Sequence, residues 1–381
     1  MRRILAAIAV AALVAVVGTA PVGSRDSAAS VTRTYYITAD EVAWDYAPGQ
    51  MDHSMGDAFD TRAQVFLERG EDRLGKVYLK AIYREYTNAD FTTLEPRLPA
   101  WDHLGILGPV LRGEVGDTLK VVFKNQTRYP FSMHPHGVIY GKDSEGMTGV
   151  PPGQTFVYTW QIGERAGPSP GGLSSVVWLY HSHVNEPRDV NSGAIGTIIV
   201  SAKGTTKPDG TPADVDREFV TLFMIFNENT SWYIDHNIAT YAIDPKAVNK
   251  LRPVPKLVDM DGEAVATGFT VSNVKFSMNG YLFGHMPGLT MKQGERVRWY
   301  LVALGNAEHT PHWHANVVAD RGRYTDVVPL LSAQMDTRDM VAENIGTWMF
   351  HCHVTAHLQG GMYAHYTVEP AAPASLTSEV R

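Results

Sequence analysis

A single cysteine, Cys352, stands in a chain of 381 residues. No intrachain disulfide can form, so the thiol is left for other chemistry. Charge is sparse as well: 19% of residues are charged and the formal net charge is −7. No block of lysine or arginine stands out, which leaves a nucleic-acid partner without electrostatic support. Long segments at helical period are missing, while 34 glycines and 22 prolines favour a turn-rich, all-β chain. A chain that is 44% hydrophobic can bury a sizeable core, which excludes disorder and coiled coil. The length suits two domains of roughly 150–170 residues.

The one long apolar run lies at the start. Met1-Arg2-Arg3, the run Ile4 to Val17, and then Gly18-Thr19-Ala20 read as a signal peptide over residues 1–30. The run is short for a membrane span, and small residues follow it instead of a cationic stop. The mature chain is therefore expected to lack a membrane span and to be exported, to a periplasm, a cell surface or the medium. An uncleaved anchor is the alternative, and Arg2-Arg3 lacks the surroundings of a twin-arginine signal.

Strand-like runs recur at Val31–Thr38, Leu119–Asn125, Phe156–Trp160, Gly196–Val200, Glu218–Phe226, Phe269–Val274, Val297–Val302 and Trp348–His351. Turns such as Pro151-Pro152-Gly153 and Lys292-Gln293-Gly294 separate them. The polar stretch Lys203–Asp214, rich in glycine and proline, reads as a linker. It divides domain 1 (31–203) from domain 2 (216–370) through residues 204–215, with a tail at 371–381. Each side repeats one plan: a Gly-Asp or Gly-Glu turn (Gly116-Asp117, Gly294-Glu295), a His-x-His, and later a second His-x-His. The duplication predicts two copies of one β-sandwich.

Histidine is the abundant residue, with 15 copies. Most fall into four clusters: His134-Pro-His136, His181-Ser-His183, His309-Thr-Pro-His312-Trp-His314, and His351-Cys352-His353 followed by His357 and Met362. One His-x-His arises by accident; four, two per half, point to metal. Alternate side chains of a strand share a face. His351 and His353 would thus face one side and Cys352 the other, so that one strand serves two sites. His309, Cys352, His357 and Met362 form the two-imidazole, thiolate and weak axial thioether set that marks blue copper. The remaining histidine pairs suit several metals by ligand type, and the adjacent blue-copper set selects copper.

These four clusters resemble the copper signatures of multicopper oxidases. Tyr83-Arg-Glu-Tyr86, His103-Leu-Gly-Ile-Leu-Gly-Pro109, Asp189-Val-Asn-Ser-Gly193 and Asn227-Glu-Asn-Thr-Ser-Trp232 are similar to ceruloplasmin and hephaestin, and the resemblance covers most of residues 33–370. Those relatives have six cupredoxin domains; two domains make this chain similar to bacterial small laccases. The resemblance implies an all-β fold of two cupredoxin-like Greek-key β-sandwich or barrel domains. It implies four coppers: type 1 on His309, Cys352, His357 and Met362; type 2 on His134 and His312; and two type 3 on His136, His181, His183, His314, His351 and His353. A copper nitrite reductase would carry its cysteine in the first domain and lack the type 3 pairs.

The implied activity is one-electron oxidation of a small-molecule or metal-ion reductant at type 1 copper, coupled to four-electron reduction of O2 to water at a trinuclear cluster. Tyr140 and Glu145 sit where small laccases carry a tyrosine and an acid near type 2 copper, which implies redox and proton-donor roles. In this family the cluster lies between domains, so a two-domain chain is expected to build it between neighbours in a cyclic homotrimer.

In ceruloplasmin-like ferroxidases an iron ion sits beside type 1 copper on Glu, His and Asp. The aligned positions are Val271, Phe276 and Ala356, none with a ligand atom. That favours laccase-like oxidation of phenols and aromatic amines over oxidation of Fe(II), Cu(I) or Mn(II). Met51-Asp-His53-Ser-Met55 is soft enough for Cu(I) and speaks for the metal-ion alternative. A copper-binding protein without activity is the third reading, which the paired type 3 signatures oppose. His103, His236, His285 and His365 are expected to be structural or surface residues.

Overall fold

The computed structural model describes residues 30–49, 51–52, 58–251, 256–260 and 263–371. The fold is all-β and cupredoxin-like, with short helices of four to eight residues between strands. In the first half, a five-stranded sheet runs in the order Val77–Tyr86, Thr32–Asp45, Thr118–Asn125, Thr155–Gln161, Ile139–Tyr140. It faces a four-stranded sheet ordered Val110–Glu114, Ile195–Ser201, Ser175–His181, His134–Pro135.

The second half repeats this connectivity. Its larger sheet begins Val274–Met278, Arg217–Asn227, Arg296–Ala303, Met335–Val341. Its smaller sheet runs Thr290–Lys292, Tyr363–Glu369, Gly346–Cys352, Pro311–Trp313. Even the parallel pairs recur: Thr32–Asp45 with Thr118–Asn125 is matched by Arg217–Asn227 with Arg296–Ala303.

Alternating patterns explain the two cores. Along Thr118–Asn125, Leu119, Val121 and Phe123 are fully buried while Lys120 is exposed, the period-2 signature of a half-covered sheet. Arg296–Ala303 is instead buried almost throughout, because it also packs against the first half. A continuous apolar cluster joins the halves, taking in Ile82, Leu107 and Leu179 from one and Val220, Met224 and Tyr300 from the other.

Polar groups stitch the same seam. Lys80 and Glu228, both fully buried, form an ion pair, and the Tyr46 hydroxyl donates to the same carboxylate at 2.5 Å. Tyr78 donates to Asn273 Oδ1 at 2.7 Å, and Trp44 Nε1 to the Gly280 carbonyl at 2.7 Å.

One strand expectation needs adjusting. Phe269–Ser272 is a helical turn, and the strand begins only at Val274. Gly268, at φ +97°, turns the chain there; Ser272 Oγ donates to the Phe269 carbonyl and Asn229 Nδ2 to that of Thr270. One near side chain and one remote in sequence thus take carbonyls that a strand would have offered to a neighbour. The 203–214 stretch is held by side chains at both ends. The Glu114 carboxylate accepts from the Gly204 and Thr206 amides, and Asp214 pairs with fully buried Arg298 at 3.1 Å.

Candidate metal centre

Three donors converge in the second half. Cys352 Sγ lies 3.8 Å from His309 Nδ1 and 3.5 Å from His357 Nδ1. All three residues are buried, and their ligand atoms lie within 4.8 Å of one another. Cys352 ends the strand Gly346–Cys352, and His357 sits on the helical turn Thr355–Gln359 that follows. Met362 is fully buried; its amide donates to the His357 carbonyl, and its own carbonyl accepts from the Cys352 amide. The Thr310 amide points at Sγ from 3.4 Å, a contact that suits a thiolate.

Burial keeps the imidazoles neutral: it presses His309 down to about 3, and it also lowers His357. Burial likewise raises the Cys352 thiol above its ordinary value, so a bound cation is what would make it a thiolate. Two neutral imidazoles, a sulfur and a buried thioether form the soft donor set that fits copper.

The other histidines form two matching quartets. Across the antiparallel pair in the second half, His312 faces His351 and Pro311 faces Cys352. In the first half His134 faces His181. Ring centroids within the second quartet lie 4.8–5.5 Å apart, and within the first 5.0–5.6 Å. His351 Nε2 is 3.1 Å from both His312 Nδ1 and His314 Nε2, and His136 Nε2 is 3.1 Å from His181 Nε2. Burial, then the charge of neighbouring imidazoles, puts His136 at about 4. Burial first also puts His181 and His351 at about 4. Neutral rings with nitrogens this close are ready to share metal ions.

Ser182 occupies in the first half the place that Cys352 occupies in the second, between paired histidines. A hydroxyl cannot replace the thiolate, so one thiolate site exists per chain. The structure reveals a support that the histidine spacing did not disclose. Asp189 Oδ2 accepts from Ser182 Oγ at 2.7 Å and from the amides of Val184 and Asn185 at 2.9 and 3.0 Å. Its Oδ1 accepts from Trp232 Nε1 at 2.8 Å. This buried carboxylate locks the turn that holds His181 and His183. Its signal was the pair of family-like motifs 189–193 and 227–232.

Tyr140 lies edge-on to His134, with centroids 5.9 Å apart. Glu145 acts on the same ring through its backbone: His134 Nδ1–H donates to the Glu145 carbonyl at 2.6 Å, which leaves Nε2 for a metal. The Glu145 carboxylate is bound by Lys142, and that hydrogen bond holds it below the usual carboxylate range.

Around His357 the rim is apolar. The Phe276 ring lies over it at 5.6 Å, and Gly360 admits that ring, since a Cβ there would come within 2.3 Å of it. Val271 is packed on the core and Ala356 is exposed. Glu308, exposed beside His309, is the acid whose charge reaches both His357 and Cys352.

Of the softer cluster, Asp52 accepts from the Tyr363 hydroxyl at 2.5 Å, next to Met362; His53 and Met55 lie outside the described residues. His103 is structural: Nε2 accepts from the Val220 amide and Nδ1–H donates to Ala100 O, with burial holding it near 3. His285 Nδ1–H donates to Leu282 O, and His236 lies beside Arg128 on the surface. Neither adds to the three groups above.

Two protein families, each described as multicopper oxidase, match residues 104–205 and 252–372. Ferroxidase HEPHL1 of Homo sapiens is 41% identical over 358 residues, 89% of this chain and 29% of its own length. Ceruloplasmin of Homo sapiens is 38% identical over 346 residues, 88% of this chain and 30% of its own. The chain thus spans under a third of these relatives. A crystal structure of a multicopper oxidase superposes with a TM-score of 0.55 at 20% identity, covering 89% of both chains, which supports the fold. With these matches, one histidine quartet in each half and one thiolate site in the second, the chain belongs to the multicopper oxidase family.

Proposed function

We propose that the protein is an exported, copper-dependent oxidase that takes electrons singly from a metal-ion reductant and delivers them to dioxygen. The cluster His309, Cys352 and His357 carries this reading. Copper, when bound, supplies one-electron redox chemistry at the thiolate and the reduction of O2 to water at the histidine quartets. His309, Cys352, His357 and Met362 hold the type 1 ion. His134 and His312 hold type 2, and His136, His181, His183, His314, His351 and His353 hold the type 3 pair. Cys352 is bonded through the backbone to His351 and His353, so the two sites are joined by covalent bonds.

The units 31–203 and 216–370, joined by 204–215, each supply one quartet. Every ring contact among these histidines joins members of the same quartet, and His353 is exposed. A cavity of about 430 Å³ opens over His312 and His314. These features support assembly of the chain as a cyclic homotrimer, with domain 1 of one copy closing over domain 2 of the next. Glu145 serves as the proton donor beside His134, its carboxylate positioned by the hydrogen bond from Lys142. Tyr140 is the redox-active neighbour of the same ring.

The reductant we propose is a hard cation such as Fe(II). A relative carrying the name ferroxidase supports it, and Glu308 supplies a carboxylate at the rim. The second reading, oxidation of phenols or aromatic amines, is favoured by Phe276 over His357 and by the lack of ligand atoms at Val271 and Ala356. Oxygen uptake by copper-loaded protein with Fe(II) and with a phenol under matched conditions separates them. Saturable Fe(II) turnover that falls in Glu308→Gln supports the first. Phenol turnover, with Fe(II) no faster than its spontaneous oxidation, overturns it.

A further inference from the structure

A cavity of about 590 Å³ opens in the first half against the seam, within the size range of small-molecule sites. It contains none of the histidines described above. Trp44, Ile82, Leu94 and Trp101 form much of its wall, and Glu85 lines it together with Glu95.

The charges around it are unevenly satisfied. Arg112 gives both guanidinium arms to Glu218, at 3.2 and 2.9 Å. Arg97 donates to the carbonyls of Gly105 and Leu107, each at 3.0 Å. Arg84 lies 3.6 Å from Asp40. Each cation of the lining is thus engaged elsewhere. The Glu85 carboxylate, half-buried, has no ion pair or hydrogen bond among the described residues. Burial, and then the charge of Glu95, push it up to about 7. A carboxylate left in apolar surroundings without a counter-ion is an unfavourable arrangement that a bound cation relieves.

We propose that this cavity binds an organic ammonium with an apolar body, of the arylalkylamine class, its nitrogen on Glu85 and its ring against the Trp44 and Trp101 wall. The apolar wall discriminates against a hydrated metal ion, which would lose much of its water there and find only the carboxylates of Glu85 and Glu95 in exchange. The carboxylate discriminates against a neutral alcohol of the same shape, which offers a weaker hydrogen bond and no charge. The site would respond to amines independently of the reductant used at the copper centre.

Calorimetric titration of the full-length, copper-loaded protein tests this, with phenethylamine as probe and 2-phenylethanol and ammonium chloride as comparison ligands. Phenethylamine is expected to bind saturably, at least about tenfold more tightly than either comparison ligand. Glu85→Gln is expected to weaken it at least about tenfold while the visible copper spectrum stays unchanged. Leu94→Lys, which tethers a competing ammonium at the cavity, is expected to do the same and guards against a folding defect in the first variant. Equal binding of alcohol and amine, unchanged binding in both variants, or no binding to the wild-type protein overturns the proposal. So does a copper-spectrum change that tracks amine occupancy, since it would place the amine on the metal.

Discussion

His312 lies directly opposite His351 across the antiparallel strand pair, with Nδ1 of the first 3.1 Å from Nε2 of the second. One register step further, Pro311 faces Cys352. Side chains alternate along a strand, so this register sends the imidazoles to one side and the thiol into the other site. A slip by one residue would exchange them.

Cys352→Ser should therefore separate the two sites. The variant is expected to lose the intense visible absorption and one copper per chain, while the histidine quartets keep theirs. Oxygen uptake with any reductant should fall by at least about a thousandfold, because no thiolate route remains. Copper analysis with optical spectra checks this.

Complementation tests the assembly. His181→Ala removes a ligand from the first quartet and His351→Ala one from the second, so each variant alone should be inactive. Equal co-expression should restore activity at about a quarter of interfaces if quartets meet between neighbouring chains, since one pairing in four joins two intact halves. No recovery would place the complete site within one chain.

The tie made by Asp189 can be cut. Asp189→Ala leaves the Ser182 hydroxyl, two amides and the Trp232 indole without their acceptor. A loss on the order of 3 kcal/mol is expected from the unpaired donors. Copper held by His181 and His183 should weaken about 10–100-fold. Thermal unfolding and competition with a chelator read the two effects.

Glu85 predicts an unusual dependence on pH. Its folded pKa of about 7 lies above that of the unfolded chain, so the folded state binds the proton more tightly. This contribution to stability is complete below about pH 4.5 and is lost as pH rises through 7. Glu85→Gln keeps a neutral side chain throughout. It should match the parent at pH 4.5 and exceed it by about 2 kcal/mol at pH 8, allowing for partial exposure. Unfolding midpoints at the two values check the sign, and an added amine should narrow the gap.

At the seam, Lys80→Met would leave the buried Glu228 carboxylate with Tyr46 as its hydrogen-bond partner and the Lys275 ammonium as the remaining nearby cation. Breaking a buried pair from one side costs about 3–5 kcal/mol. The expected result is a lower denaturation midpoint with separate unfolding of the two halves, followed by calorimetry.

Much of the site was legible in the chain because its signals are local. His351, Cys352 and His353 are neighbours, and strand periodicity alone assigns their faces. The sole thiol in the second half determines that only one thiolate site exists per chain. The apolar β runs determine most strands, because alternation and turn residues act over a few positions. Phe269–Ser272 escaped that logic: its β-branched residues suggest a strand, but Ser272 and Asn229 capture its carbonyls, and Asn229 is remote in sequence.

What only the tertiary structure decided depends on residues far apart in the chain. Lys80 meets Glu228 across a separation of 148 residues, and no local pattern announces that pairing. Glu85 reads in sequence only as a charged residue of the family-like motif Tyr83–Tyr86; the cavity and the engagement of every nearby arginine leave it without a counter-ion. The rim at His357 is likewise a tertiary product, in which Gly360 gives room to Phe276. Which side chains can serve as metal donors is a property of residue type and spacing, and so it is legible in the sequence. Burial, desolvation and the pairing of charges are properties of what surrounds a residue in space, and only the folded chain decides them.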